Sequence, residues 1–331
     1  MSAPAPRLKR LLVTGASGFV LRQAVPIWQA LGYEVIAVDP QIDRATLEFW
    51  QVMKQPITLI ATTLERALAE DLLPPCDALI HGAAITADPE SAGLTPVAHL
   101  NANLQPALAL LDWAAEQSVG RVICLSSSAV YAATEGTVTE DQPVTPTGTY
   151  AIAKATIEAL TATLKTAYQR DVLSIRLGNI YGIGETPSAT RPRISLIGQM
   201  IHQALTQQTV TVPPADQADR QTREWTFAAD IAQAIHALLQ APTLKYPLYQ
   251  VAAGERADRL TIARAIRAAL PNITIETTSA DPLPALARRG TLSHARLEAD
   301  TGFAEWTPFA TGIRRVVEAE LAFRRGTPLI Y

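Results

Sequence analysis

A tyrosine and a lysine stand four residues apart in Tyr150-Ala151-Ile152-Ala153-Lys154, a spacing that puts both on one face of a helix. An ammonium beside a phenol stabilises the phenolate, drawing a pKa of about 10 toward neutral pH. A phenol tuned in this way exchanges a proton with a hydroxyl while hydride moves at the same carbon. Upstream, Ser126-Ser127-Ser128 closes an apolar run that reads as a strand. Open α/β sheets present their reactive groups at such strand ends, where a serine hydroxyl can hold a substrate oxygen against the tyrosine. Taken alone, the pair also reads as a surface helix with a lysine lying along its flank.

A second constellation lies near the N-terminus. Leu11-Leu12-Val13-Thr14-Gly15-Ala16-Ser17-Gly18-Phe19 follows the first strand and opens a helix. Glycines at such a turn let the backbone approach a pyrophosphate, which rests on the free N–H groups and positive dipole end of the helix. Asp39 ends the next strand, where a carboxylate accepts both ribose hydroxyls and repels a 2′-phosphate, so NAD is favoured over NADP. The plainer alternative is an ordinary turn with a strand-capping aspartate. Leu21 replaces the third glycine of the fingerprint, and Pro26 falls inside the predicted helix. The third glycine permits close helix–strand packing and an interior proline removes a hydrogen bond, so the helix is expected to stand off the sheet or to kink.

The elements that must position these residues alternate. Strands are predicted at Leu11–Thr14, Glu34–Asp39, Ile57–Ala61, Ala78–His81, Arg121–Ser126 and Val172–Leu177, with amphipathic helices at Val97–Ser118 and Thr149–Gln169 between them. This pattern implies an α/β fold of the Rossmann type, a doubly wound parallel sheet with helices on both faces. Beyond Gly178 the alternation weakens. Helices are predicted at Ser195–Thr206, Ala228–Leu239, Arg259–Leu270 and Thr311–Phe323, and short strands at Val210–Val212, Tyr249–Val251 and Ile273–Glu276. The division expected is a dinucleotide-binding domain over 1–178 and a smaller substrate lobe over 179–331, with some exchange of chain between them.

Composition narrows the function classes. The 331 residues are 48% hydrophobic and 18% charged, which excludes a disordered chain. A net charge of -3 with no basic block argues against nucleic acid as partner. Met1–Arg10 holds no apolar run of signal-peptide length and no stretch reaches that of a membrane span, so a cytoplasmic protein without membrane contact is expected. Two cysteines are too few for a disulfide framework or a zinc site. His99, His202, His236 and His294 lack ligand spacing, so no metal is expected, and His81 reads as structural. Trp28, Trp50, Trp113, Trp225 and Trp306 read as core or lobe-packing residues.

With these motifs in place the chain resembles the extended short-chain dehydrogenase/reductase family, in its NAD-dependent epimerase/dehydratase branch, over nearly its whole length. The resemblance rests on Thr14 to Phe19, His81-Gly82-Ala83-Ala84, Ser126 to Tyr131, Tyr150 to Lys154, and Arg176-Leu177-Gly178-Asn179-Ile180-Tyr181-Gly182. It implies catalysis by Ser127, Tyr150 and Lys154, with Ser128 as the contender for the serine role and a substrate contact. It implies an NAD site of Gly15, Ser17, Gly18, Phe19, Asp39, Ala83, Ala84 and Asn103 together with Tyr150 and Lys154. Thr63 stands where relatives often carry an aspartate near the adenine. Asn179 and Arg223 resemble residues that hold nucleotide-sugar phosphates. Arg288 and Arg289, followed by a Leu292–Trp306 segment resembling the family's carboxyl-terminal helix, offer a second phosphate contact. A homodimer through the helices before and containing Tyr150 is implied as well.

Dehydratases of this branch usually carry an acid shortly after the catalytic hydroxyl, where this chain has Ser128-Ala129, which disfavours elimination. Three functions remain open: an epimerase acting on a nucleotide sugar, a dehydrogenase of a free sugar, sugar acid or related alcohol, and a non-catalytic NAD sensor. Intact Ser127, Tyr150 and Lys154 argue against the sensor. The proline-stiffened stretch Glu185 to Arg193 carries Arg191 and Arg193. It reads as a lid over an anionic, sugar-like substrate, as a dimer contact, or as a solvated loop.

Overall fold

A computed structural model describes residues 9–51, 57–132, 134–214, 222–278 and 290–325. In chain order the first part runs β1 (Arg10–Thr14), α1 (Phe19–Ala30), β2 (Glu34–Val38), α2 (Arg44–Gln51), β3 (Ile57–Ile60), α3 (Leu64–Ala69), β4 (Ala78–His81), α4 (Pro96–Glu116), β5 (Arg121–Ser127), β6 (Thr137–Val138), α5 (Thr149–Ala167) and β7 (Val172–Leu177). The second part runs β8 (Ile180–Tyr181), α6 (Leu196–Gln207), β9 (Thr209–Val212), β10 (Arg223–Glu224), β11 (Thr226–Phe227), α7 (Ala228–Gln240), β12 (Leu248–Val251), β13 (Arg256–Ala257), α8 (Arg259–Ala269), β14 (Thr274–Thr277), β15 (Thr291–Leu292), α9 (Ala295–Thr301) and α10 (Phe309–Arg324).

The central sheet has seven strands in the order β12-β7-β5-β4-β1-β2-β3, all parallel. Because β1 lies between β2 and β4, the winding reverses beside it. The crevice that such a reversal opens at the carboxyl ends of the strands is where open α/β sheets bind ligands. Period-two alternation builds both faces. Leu11, Val13, Ile80 and Ile123 join one core with α1 and α7, whereas Leu12, Leu79, Val122 and Cys124 join the other, under α3, α4 and α5. The fold is the expected doubly wound α/β sheet of the Rossmann type.

Two sequence expectations meet the structure at α1. The helix is continuous through Pro26, and the carbonyl of Arg22, four residues earlier, accepts the indole N–H of Trp50 at 3.0 Å. Trp50 thus supplies the donor that the proline lacks. Leu21 is accommodated by a glycine on the facing strand end. A Cβ on Gly82 would sit 2.3 Å from Leu21 Cδ1, so the missing atom has moved from helix to strand and the packing stays close.

Chain from beyond residue 178 returns to the sheet, since β12 pairs with β7. There too, Trp28 Nε1 on α1 donates to the Ala232 carbonyl on α7 at 3.0 Å. The stretch Leu292–Trp306 is not one helix. Leu292 belongs to β15, paired with β6, and α9 stops at Gly302, whose φ of +71° forms a left-handed cap. Among the described residues no helix is long and apolar enough to cross a membrane, and no cluster of three or more His, Cys, Asp or Glu could hold a metal ion.

Candidate active site

The turn after β1 is built for close approach. Gly15 has φ +70°, and a Cβ there would lie 2.6 Å from the Ala83 backbone nitrogen, so only glycine seats this turn against the segment after β4. Ala84 follows, half-buried. Gly18 is the N-cap of α1; it offers no side-chain cap, and the first turn carries no acid. Phe19 is the first helical residue. The amides at this end are therefore not capped by a side chain, the condition under which a helix N-terminus takes an anion. Asp39 is buried just past β2 and accepts from Ser17 N at 3.2 Å and Gln41 N at 2.8 Å. A carboxylate has about four acceptor sites, so capacity for further hydroxyl donors remains. Thr63 caps α3, its hydroxyl accepting from Arg66 N.

The Ser127 hydroxyl at the end of β5 lies against the Tyr150 phenol in the N-terminal turn of α5 and acts to lower its pKa. Ser127 Oγ also accepts from Ala129 N at 3.1 Å. Lys154 lies one turn on, with Nζ 5.7 Å from the Tyr150 ring centre and donating to the Leu125 carbonyl at 2.7 Å. Burial pushes the Lys154 ammonium down to about 8, with the negative charge of Glu158 among the influences opposing the fall. For Tyr150 the structure corrects the sequence argument. Burial raises the phenol above 10 and outweighs the lowering effect of Ser127, so the resting group is a neutral phenol.

Around this pair stand supporting residues, of which Glu158 was not singled out in the sequence. Glu158 continues the stripe of Tyr150 and Lys154 at the same spacing of four, the pattern that would have revealed it. Its carboxylate takes a two-pronged ion pair from Arg176, at 2.8 and 2.6 Å, and the Ser126 hydroxyl at 2.5 Å. This anchors α5 to β5 and β7 directly behind the reactive pair. His81 Nδ1 meets Thr14 Oγ1 at 2.8 Å; burial, with Lys154 nearby, holds the imidazole neutral, pushed down to about 3. It ties the ends of β1 and β4 together. Asn103 accepts from Ile85 N and donates to the Ile85 and His99 carbonyls, fastening the segment after β4 to α4. His99, four residues earlier, meets Thr149 Oγ1 at 2.8 Å and the Ala87 carbonyl at 2.9 Å.

The remaining residues divide between two places. A cleft of about 390 Å³ beside Tyr150 is lined by His99, Thr147, Thr149, Asp88, Arg191 and Arg193 among others. Asp88 holds Ser91 through its N–H and hydroxyl at 2.8 and 2.9 Å. Ser128 and Asn179 instead line a narrower crevice with Tyr131, Thr134 and Glu224. Asn179 Nδ2 donates to the Glu224 carbonyl at 3.1 Å, and Arg223 is buried on β10, with Nη1 donating to the Thr222 carbonyl. Arg288 and Arg289 lie outside the described residues.

Residues 11–252 match the profile of the NAD dependent epimerase/dehydratase family. The chain belongs to that family. Its members are enzymes, and NAD is the cofactor of the family; the residues around Gly15, Gly18 and Asp39 fit that group. The chain is 26% identical over 78% of its length, and 81% of the other's, to YtcB of Bacillus subtilis (strain 168), described as an uncharacterized UDP-glucose epimerase. It is 27% identical, over 79% of its length and 81% of the other's, to a dTDP-4-dehydro-6-deoxy-D-allose reductase of a Streptomyces species. The fold matches UDP-glucose-4-epimerase from Stenotrophomonas maltophila with bound NAD and formylated UDP-arabinopyranose, with a TM-score of 0.82 at 20% identity, covering 96% of this chain and all of that one.

Proposed function

We propose that this enzyme is an NAD-dependent epimerase that inverts a sugar hydroxyl, most readily on a nucleotide sugar. The observation that carries the reading is the Tyr150 phenol set against the Ser127 hydroxyl, with the Lys154 ammonium 5.7 Å from its ring centre. Gly15, Ser17, Gly18 and Phe19 cradle the dinucleotide phosphates, Asp39 takes the ribose hydroxyls, and Ala83 and Ala84 leave room beside it. Lys154 and Tyr150 reach its sugar side, and Asn103 holds the segment that flanks it. When bound, NAD supplies the hydride acceptor and donor at the reacting carbon.

Ser127 orients the substrate hydroxyl toward Tyr150. Tyr150 reacts as the phenolate: its own proton passes to solvent in the cleft, the Lys154 ammonium offsets the negative charge left on the oxygen, and the phenolate then takes the proton of the substrate hydroxyl in the first half. In the second half Tyr150, a neutral phenol at rest, returns the proton to the carbonyl oxygen. Ser128, Asn179, Arg223 and Arg288 serve the nucleotide-sugar side of the substrate. Arg193, on the cleft beside Tyr150, meets an anionic substituent. No acid stands directly after Ser127, where Ser128 and Ala129 follow, and Asp88 on the cleft is occupied by Ser91, which supports epimerisation over elimination. A homodimer through α4 and α5 is supported by Val97 and Ile152, apolar side chains exposed on those helices. Cytoplasmic placement belongs to the same proposal.

The arginines on the cleft favour one alternative, a dehydrogenase of a free sugar acid. Incubation with NAD and a panel of nucleotide sugars and sugar acids separates the two. Interconversion of a nucleotide sugar without accumulation of NADH is the result expected. NADH formation from a sugar acid, with no nucleotide-sugar interconversion, would sink the epimerase. Tyr150→Phe is expected to lower turnover by about two orders of magnitude or more while leaving NAD affinity intact.

A further inference from the structure

The segment from Ile183 to Arg193 runs as a strap from α1 to the cleft beside Tyr150, and it is fastened along its length. Ile183 N donates to Gln23 Oε1 at 3.0 Å, and Arg22 donates to the Gly184 carbonyl. Glu185 is buried and binds Ser195 through N–H and hydroxyl at 2.7 and 2.6 Å, as well as pairing with Arg191. The tip closes on itself, Ser188 N to Arg191 O at 2.9 Å and Arg191 N to Ser188 O at 3.1 Å. Beyond it the Thr190 carbonyl accepts Thr86 N and Ala87 N at 2.9 and 3.0 Å, which docks the strap on the segment after β4.

This arrangement gives the two arginines of the strap different surroundings. Arg193 is exposed on the cleft. Arg191 is drawn back toward α1, with its guanidinium 4.6 Å from the centre of the Phe19 ring. Phe19 is the first helical residue of the turn assigned above to the dinucleotide phosphates. Glu185 takes Arg191 Nη2, while Nη1 is buried and has no hydrogen-bond partner. A buried guanidinium N–H without an acceptor is costly, and phosphate oxygens are the acceptors that its planar fork matches best.

We propose that Arg191 is a binding residue for the cofactor, a cation laid over the helix N-terminus from the second half of the chain, and that the strap latches the dinucleotide in place. The inference rests on the assignment of the Gly15–Phe19 turn to NAD. It gives Arg191 to the cofactor and leaves Arg193 to the substrate.

The test is NAD affinity, read by titration calorimetry on the full chain freed of nucleotide, with the dissociation rate read by displacing bound NADH with excess NAD. Arg191→Met is expected to weaken NAD at least tenfold and to speed NADH release by a similar factor. Glu185→Gln, which loosens the strap but keeps the guanidinium, is expected to cost less than threefold, and Arg193→Met less than twofold. NAD affinity within twofold of the parent in Arg191→Met would overturn the proposal. So would an equal loss in Glu185→Gln, which would make strap order the cause, or in Arg193→Met, which would make it net charge. A parent chain that fails to bind NAD would overturn the underlying cofactor assignment as well, an outcome distinct from a parent that binds and a variant that binds equally.

Discussion

Lys154 carries its charge at a measurable cost to the fold. Its side chain is buried, and the fall from 10.5 to about 8 corresponds to roughly 3 kcal/mol that the folded protein loses by keeping the ammonium charged. The sign follows from proton binding. Below about 8 both folded and unfolded chains hold the proton and the cost is full. Between about 8 and 10.5 the unfolded chain retains a proton that the folded protein has released, so stability from this group rises with pH. Above that window the cost is gone. Lys154→Met removes the charge but also the hydrogen bond to the Leu125 carbonyl, worth about 1 kcal/mol. The variant is therefore expected to be more stable than the parent by about 2 kcal/mol at pH 7 and less stable by about 1 kcal/mol near pH 10.5, while losing activity. Urea unfolding of nucleotide-free protein, followed by tryptophan fluorescence at several pH values, measures both differences. A Lys154→Met variant destabilised by the same amount at pH 7 and pH 10 would refute the reasoning, because it would show that packing, and not a desolvated charge, governs the site.

Three further outcomes are expected. Trp50→Phe should cost about 1–3 kcal/mol by stranding the Arg22 carbonyl, and most of that cost should vanish in a Pro26→Ala background, where an amide at position 26 resumes the helical bond. Equal costs in both backgrounds, measured as a double-mutant cycle of unfolding free energies, would rule out the compensation. Gly82→Ala should destabilise by about 1–3 kcal/mol through contact with Leu21 and Leu125, and Leu21→Ala should relieve part of it; thermal denaturation decides, with no relief counting against the swapped glycine. Asp39→Ala should weaken NAD by about tenfold and narrow its advantage over NADP, and an unchanged NAD to NADP ratio in calorimetry would remove Asp39 from the ribose site.

Local pattern was enough to reveal the sheet, the phosphate turn and the tyrosine–lysine stripe, because each depends on a short repeat. Buried parallel strands read as short apolar runs, a glycine turn sits between strand and helix, and a spacing of four marks one helical face. The consequences of Leu21 and Pro26 were not legible. Their answers, Gly82 and Trp50, lie on other elements, and nothing local to α1 points to either one. The same holds for the direction of the Tyr150 pKa. The neighbouring lysine was visible in the chain, but the burial that raises the phenol, against the lowering effect of Ser127, is created by the packing of α5 against the sheet.

The sequence by itself determined which groups are available: a phenol and an ammonium one helical turn apart, a serine at a strand end, a glycine turn and an acid after the next strand. Only the tertiary structure decided how they are charged and what they face. Desolvation depends on the surroundings from every direction, so the resting phenol, the costly Lys154 ammonium and the neutral His81 appear only once the sheet is closed over them. The two arginines of the strap, two residues apart in the chain, were equivalent on paper. Both line the cleft, but folding turns the Arg191 guanidinium to Phe19 and Glu185 and leaves Arg193 exposed, because the hydrogen bonds of Thr190 and Glu185 set the path of the backbone between them.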